Sequence, residues 1–370
     1  MIIKSLELKN FRNYQALGIA FDAGTNILYG DNAQGKTNVL ESLYVSGTTK
    51  SHKGSKDKEM IRFDADEAHI RTIVEKNGVE NRIDIHLKKN SSKGIAVNGI
   101  PIRKAGELFG ILNLVVFSPE DLNIIKDGPA GRRRFMDMEL SQLDSIYLHN
   151  LTKYHKILQQ RNKLLKDIHF RPDLEATLPV WDEQLVRYGT PIIHRRLQFL
   201  KILVPLARRM QKELTDQGEV FNVTYHSSLG PVGALEQAAI ADVFAKTLSA
   251  GRGEELRRGV TLWGPHRDDL IFYLNGYELK TYGSQGQQRT GILALKLAEL
   301  ETFYRHNHEY PLLLLDDVMS ELDDKRRAYL LQIIKDNHIQ TIITGANMEL
   351  ITNEMAQDEV FVIKEGKIIS

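Results

Sequence analysis

The chain contains no cysteine, which excludes disulfides, thiolate zinc sites, iron–sulfur ligation and cysteine nucleophiles together. It has no excess of either charge. Forty-nine lysines and arginines stand against 48 aspartates and glutamates, a net of +1. A uniformly basic coat for nucleic acid is therefore excluded, and any polyanion site must be a local patch. Long hydrophobic runs are also missing: stretches of four or five residues such as Leu312–Leu315 and Leu270–Leu274 are the longest, far below the ~20 residues of a membrane span. Lys4, Lys9 and Arg12 interrupt the apolar residues of the N-terminus, so no signal-peptide core forms. These absences fit a cytoplasmic protein without a membrane partner. What is present is ordinary globular material, 42% hydrophobic and 26% charged over 370 residues, enough for about two and a half domains.

The texture changes twice along the chain. Residues 1–118 read as mixed α/β, with strand-like runs at Ile2–Leu8, Leu17–Phe21, Asn26–Tyr29, His69–Val74, Ile83–Leu87 and Leu112–Phe117. Asn98-Gly99 between two apolar runs is a type I′ hairpin signal. From 119 to 255 helical spacing dominates and strand signals become rare, and Pro205 predicts a kink or break. From 256 to 370 the α/β texture returns, with a hairpin at Asn275-Gly276, a helix over Gln287–Tyr304, strands at Leu312–Leu315 and Thr341–Thr344, and a last hairpin at Glu365-Gly366. The reading is one α/β domain, 1–118 and 256–370, interrupted by an inserted helical lobe.

Gly30-Asp31-Asn32-Ala33-Gln34-Gly35-Lys36-Thr37 matches the phosphate-loop pattern in full, between a strand-like run and a helical one. Chance predicts about 0.02 such matches in a chain this long. Glycines let backbone amides wrap phosphates, and the following helix directs its positive end at them. Lys36 is placed to neutralise the β- and γ-phosphates of ATP, and the Thr37 hydroxyl to ligate Mg²⁺. Such a site needs a carboxylate for the metal. The apolar run 312–315 ends in Asp316 and Asp317, the first placed to hold Mg²⁺ and the second to orient or deprotonate the attacking water. A third segment, Ser284-Gln285-Gly286-Gln287-Gln288, sits at a helix N-terminus. It is either an ordinary capped helix or a second γ-phosphate binder acting between two copies, Ser284 of one against the nucleotide of the other.

Taken together, these motifs resemble the ATP-binding-cassette superfamily in its SMC-like branch, and within that the RecF family of bacterial recombination and repair proteins. Leu6–Tyr14 resembles the branch's opening, 284–288 its signature motif and Ser320–Asp323 its D-loop. Residues 118–122 and 128–137, with Trp263–Leu270, are more particular to the RecF family. The resemblance implies a cassette-type P-loop ATPase head with an inserted α-helical lobe, and ATP-driven dimerisation on DNA with slow hydrolysis that resets it. It further implies work at duplex and single-strand gap junctions, RecR as partner, RecO and RecA indirectly, and a role in the SOS response. It also brings Arg12, Asn13, Ser284, Gly286 and Gln287 to the nucleotide alongside the loop residues. Three positions depart from the wider superfamily. Asp317 stands where many members have Glu, no Gln occurs in 117–122 where Glu120 or Ser118 is a stand-in, and Thr344 replaces a switch His. The alternative is the energy-coupling subunit of a membrane transporter.

Residues 149–166 carry five basic and no acidic side chains, 184–212 carry seven and none, and Lys50, Lys53, Lys56 and Lys58 form a third cluster. Such blocks suit backbone-directed DNA binding or a solvated helix face. Arg132-Arg133-Arg134 is open between phosphate binding and ion pairing, and His266 lacks a second ligand at metal spacing.

Overall fold

We describe the protein from a computed structural model, over residues 1–215, 218–346 and 359–369. Along the chain the elements run β1 (Ile2–Phe11), β2 (Tyr14–Ala20), β3 (Thr25–Tyr29), α1 (Lys36–Thr48), α2 (Asp57–Met60), β4 (Glu67–Lys76), β5 (Val79–Lys88), β6 (Gly94–Val97), β7 (Ile100–Pro101), β8 (Leu114–Phe117), α3 (Leu122–Lys126), α4 (Pro129–Leu143), α5 (Ser145–Ile168), α6 (Leu178–Leu214), β9 (Phe221–His226), α7 (Gln237–Arg258), β10 (Asp269–Leu274), β11 (Tyr277–Glu278), α8 (Leu279–Tyr282), α9 (Gln285–Asn307), β12 (Leu312–Asp316), α10 (Asp324–Asp336), β13 (Thr341–Gly345), β14 (Glu359–Lys364) and β15 (Lys367–Ile368). They form two compact units, Met1–Asp121 with Glu299–Ser370, and Leu122–Ala298.

The first unit holds two six-stranded sheets, β2-β1-β4-β5-β6-β7 and β15-β14-β3-β13-β12-β8. The former is antiparallel and half-buried, so its strands alternate: Ile70, Thr72 and Val74 of β4 are buried while Glu67 is exposed. In the latter, β8, β12, β13, β3 and β14 run parallel. Parallel strands are buried on both faces, which is why β12 can be four leucines in a row, each at most 1% exposed. Each fully buried leucine contributes about 1.5–3 kcal/mol. Both sheets and the buried face of α1 (Val39, Leu40, Leu43) share one core. The six strand-like runs expected in 1–118 are all strands, and Asn98 and Gly99 take the left-handed conformations a type I′ turn requires, φ 54° and 81°.

The second unit packs α4, α5, α6 and α7 with a three-stranded antiparallel sheet, β11-β10-β9. Two expectations are corrected in it. The unit extends to Ala298 rather than 255, because β10 pairs with β9 along six residues and Arg132 forks Asp269 at 2.7 and 2.9 Å. Strand β9 itself was legible only as a short alternation, Phe221 and Val223 buried with Asn222 and Thr224 less so. Of the kink or break expected at Pro205, the break does not occur: helix α6 is continuous for 37 residues through Pro191 and Pro205. A proline removes one helical hydrogen bond, and the buried stripe on either side of it (Leu197, Leu200, Leu203, Leu206, Met210) holds the helix together.

Candidate nucleotide site

Ligands of open parallel sheets bind beyond the carboxyl ends of the strands, and the first unit's loop lies there. Strand β3 ends at Tyr29 between β13 and β14, and the chain turns at Gly30. Gly30 has φ 154°, and a Cβ there would stand 2.3 Å from the Ile363 carbonyl oxygen, so only glycine fits. Gly35, with φ 115°, is closed in by the side chains of Asn13 and Tyr14. Asn13 braces the loop from the β1–β2 turn, its Nδ2 donating to the Gln34 carbonyl at 2.9 Å. Gln34 accepts in turn from the Glu365 amide at 2.6 Å. Asp31, Asn32 and Ala33 are exposed, Ala33 in the left-handed conformation. Lys36 is buried, and its Nζ donates to the loop's own carbonyls, Gly30 at 2.5 Å and Asp31 at 2.8 Å. Burial lowers the Lys36 pKa, against the opposing fields of Asp317, Asp31 and Asp316.

Strand β13 lies between β3 and β12, and this order brings the acidic end of β12 to the loop. Thr37 Oγ1 donates to Asp316 Oδ1 at 2.8 Å. The Thr344 hydroxyl, opposite Asp316 on β13, donates to the same oxygen at 2.8 Å and accepts from the Asp317 amide at 3.0 Å. Thr344 therefore ties down both aspartates. Its hydroxyl is thereby engaged both as donor and as acceptor. Asp317 is exposed and in the left-handed conformation, φ 55°, a strain that the amide bond to Thr344 helps hold. The donor set suits a hard cation: one hydroxyl and one carboxylate, all oxygen. Among the described residues no group of three or more His, Cys, Asp or Glu side chains forms a self-sufficient metal cage.

Arg12, expected at the nucleotide, has its guanidinium engaged inside the protein. Nε and Nη2 fork Glu41 at 2.7 and 2.6 Å, Nη2 also donates to Ser55, and Nη1 donates to the Glu59 carbonyl at 2.7 Å. Glu41 is fully buried in α1. Burial alone would raise its pKa, but hydrogen bonds from Arg12 and Ser51 outweigh that and hold it low. Arg12 thus anchors the segment after α1 and does not reach outward. Sequence reasoning passed over Glu41, whose signal was an acid within an otherwise apolar helix stretch, and His52, which had no signal beyond its neighbours.

In the second unit, Ser284 and Gln287 form a reciprocal capping box at the start of α9: the Gln287 amide donates to Ser284 Oγ at 3.2 Å and the Ser284 amide to Gln287 Oε1 at 2.9 Å. Ser284, Gln285 and Gly286 are exposed. A Cβ on Gly286 would meet nothing closer than 4.0 Å, so no internal contact explains glycine there.

Arg132, Arg133 and the 264–269 segment form one polar network, while Arg134 is exposed. Arg132 pairs with Asp269, and Arg133 donates to the Asp268 carbonyl. Asp268, fully buried, accepts from the Tyr225 hydroxyl and the Ser228 amide. Arg196 joins Asp137, Tyr147 and the Pro265 carbonyl, while Arg161 joins Asp182, Glu255 and Thr261. His266 sits between the Tyr154 hydroxyl and the Thr261 carbonyl, and burial pushes its imidazole down to about 3. Arg161 and Arg196 thus drop out of the basic blocks, while Lys153, Lys156, Lys163, Lys166, Arg187 and Lys201 remain exposed.

The chain matches the family model described as the RecF/RecN/SMC N terminal domain over residues 2–369. It is 54% identical over 369 residues to the DNA replication and repair protein RecF of Agathobacter rectalis, covering 100% of this chain and 99% of that one. Two solved structures of the recombination mediator protein RecF in the RecFOR pathway, one with ATPrS and one with ATP, are similar at 36% identity, with TM-scores of 0.92 and 0.91. Each covers 99% of this chain, which spans 97% and 98% of theirs. Among the described residues no helix is long and apolar enough to cross a membrane.

Proposed function

The chain belongs to the RecF/RecN/SMC N-terminal-domain family, and within it to the RecF proteins, and on that footing we propose that it is an ATP-driven, DNA-binding switch of replication and repair. The observation that carries the reading is the meeting of Thr37 and Asp316, 279 positions apart in sequence and 2.8 Å apart in space, beside a buried lysine hydrogen-bonded to loop carbonyls.

The backbone amides of 30–37 and the positive end of α1 bind the phosphates of ATP. Lys36 leaves the Gly30 and Asp31 carbonyls to neutralise the β- and γ-phosphates. Thr37 and Asp316 would hold Mg²⁺, which would supply positive charge to neutralise that developing on the phosphates. Asp317 accepts the proton of the attacking water. Its side chain is one methylene shorter than glutamate and holds that water less firmly, which suits slow hydrolysis. Asn13 keeps the loop in shape, and Arg12 anchors the segment after α1 through Glu41, Ser55 and Glu59. Ser284, Gly286 and Gln287 of one copy contact the γ-phosphate bound by Lys36 of another, so that ATP closes a homodimer on DNA. Exposed lysines and arginines of α5 and α6 bind DNA phosphates without reading bases. Work at duplex and gap junctions with RecR, and through it RecO and RecA, is the reading that the RecFOR relatives favour, in the cytoplasm. Family membership gives the transporter alternative no support.

Sedimentation with and without ATP–Mg²⁺, repeated with a short gapped duplex, tests this reading. An ATP-dependent monomer-to-dimer shift that carries DNA along is expected, and Ser284→Arg should abolish it while leaving ATP binding intact. A monomer throughout with ATP bound would reduce 284–288 to a capped helix and remove the mechanism.

A further inference from the structure

The last hairpin of the chain, β14 and β15, turns through Glu365 and Gly366, both left-handed at φ 47° and 72°. Lys364 and Lys367 pair across it, so the amides of the two turn residues have no place in the ladder. Both donate instead to one residue of the phosphate loop: the Glu365 amide to Gln34 Oε1 at 2.6 Å and the Gly366 amide to the Gln34 carbonyl at 3.3 Å. That carbonyl also accepts from Asn13 Nδ2 at 2.9 Å, and Asn13 Oδ1 accepts from Asn38 of α1 at 2.9 Å. Gly366 closes against Asn13. A Cβ there would stand 3.0 Å from the Asn13 carbonyl oxygen, at a φ that side chains rarely adopt. At the start of the loop, β14 pairs with β3 and brings the Ile363 carbonyl against Gly30. One hairpin thus touches the loop at its first and its fifth residue. Between those points Asp31, Asn32 and Ala33 are exposed, and the left-handed Ala33 costs of order 1–3 kcal/mol unless its surroundings fix it. A loop of that shape without flanking supports samples others, and apparent affinity scales with the fraction held in the binding shape. The hydrogen bonds described for Lys36, Thr37, Asp316 and Asp317 do not involve the hairpin.

We propose that the β14–β15 turn is a positioning element of the nucleotide site: acting through Gln34, it holds the phosphate loop in its binding shape before ATP arrives, and so sets ATP affinity without entering the chemistry. The inference rests on the ATP reading above. Glu365 contributes its backbone amide and not its carboxylate, and Gly366 contributes its amide and its close approach to Asn13.

The test is ATP binding and steady-state hydrolysis by the full chain. Gly366→Ala should raise the Kd and KM for ATP about ten-fold, while kcat at saturating ATP stays within about two-fold of the parent. Gln34→Leu removes the acceptor of the Glu365 amide and should weaken ATP binding by a similar factor. The double variant should be no weaker than either, because both changes release the same contact. Glu365→Asn keeps the amide and suits the left-handed turn, so it should bind ATP within about two-fold of the parent. Unchanged ATP affinity in either Gly366→Ala or Gln34→Leu overturns the proposal. So does a double variant weakened about 100-fold, which would make the two sites independent, or a fall in kcat as large as the rise in KM. Melting curves without nucleotide accompany each variant, and Gln34→Leu, which leaves the hairpin sequence intact, carries the test should Gly366→Ala fail to fold. Failure of the parent itself to bind ATP would instead remove the ATP reading.

Discussion

Two Asp-Asp pairs, 268–269 and 316–317, look alike in the sequence and are used in opposite ways. Asp268 and Asp269 open β10 inside the second unit, and both carboxylates are occupied: Arg132 on Asp269, and Tyr225 and Ser228 on Asp268. Asp316 and Asp317 close β12 in the first unit and are left incomplete. Asp316 keeps one oxygen without a donor, Asp317 is exposed and left-handed, and the neighbouring Lys36 is hydrogen-bonded to backbone carbonyls. A closed network specifies how a lobe packs, whereas an open one retains capacity for a ligand. Substitutions in the two regions should therefore separate stability from nucleotide chemistry.

The largest effect is expected in the closed network. Arg161→Ala strands the buried Glu255 without its cation, although Asp182 keeps Arg252 at 3.1 Å, and should destabilise the protein by about 3–5 kcal/mol in urea unfolding. A loss below about 1 kcal/mol would place this network with surface ion pairs. In the open region, Asp317→Asn should leave unfolding unchanged and slow ATP hydrolysis by about 100-fold or more, roughly 3 kcal/mol, with dimers persisting in ATP. An unaltered rate would move the base elsewhere.

A third effect is set by pH. Burial holds His266 neutral in the native state down to about 3, whereas the unfolded chain protonates it near 6.5. The unfolded state thus binds the extra proton across that window, so stability falls as pH falls from about 6.5 toward 3. Between pH 6.5 and 5 the loss should be about 2 kcal/mol, and His266→Gln should flatten that limb of the curve. Equal acid slopes in both chains would contradict the burial argument. The smallest effect sharpens the contrast most. Gly286→Ala has room for its methyl and should raise stability by up to about 1 kcal/mol. The same substitution should weaken ATP-dependent dimerisation if that face of α9 receives a second copy's nucleotide, and an unimpaired dimer would show that glycine is not needed there.

What the amino-acid sequence by itself determined is local and contiguous. The phosphate loop is eight successive residues whose glycines answer to backbone sterics, the asparagine–glycine turns answer to their left-handed dihedrals, and β12 announces double-sided burial in four leucines. What only the tertiary structure decided depends on which surfaces meet. The pairing of β9 with β10 carries the second unit to Ala298. Burial withdraws Arg161 and Arg196 from blocks that read as uniformly basic. The order β3-β13-β12 places Thr344 where it secures two aspartates, and packing after α1 leaves His52 without a partner. The physical reason is range. Backbone dihedral preferences are properties of neighbouring residues, but the pairing of a charge is settled only when distant segments close around it and remove the water that would otherwise satisfy it.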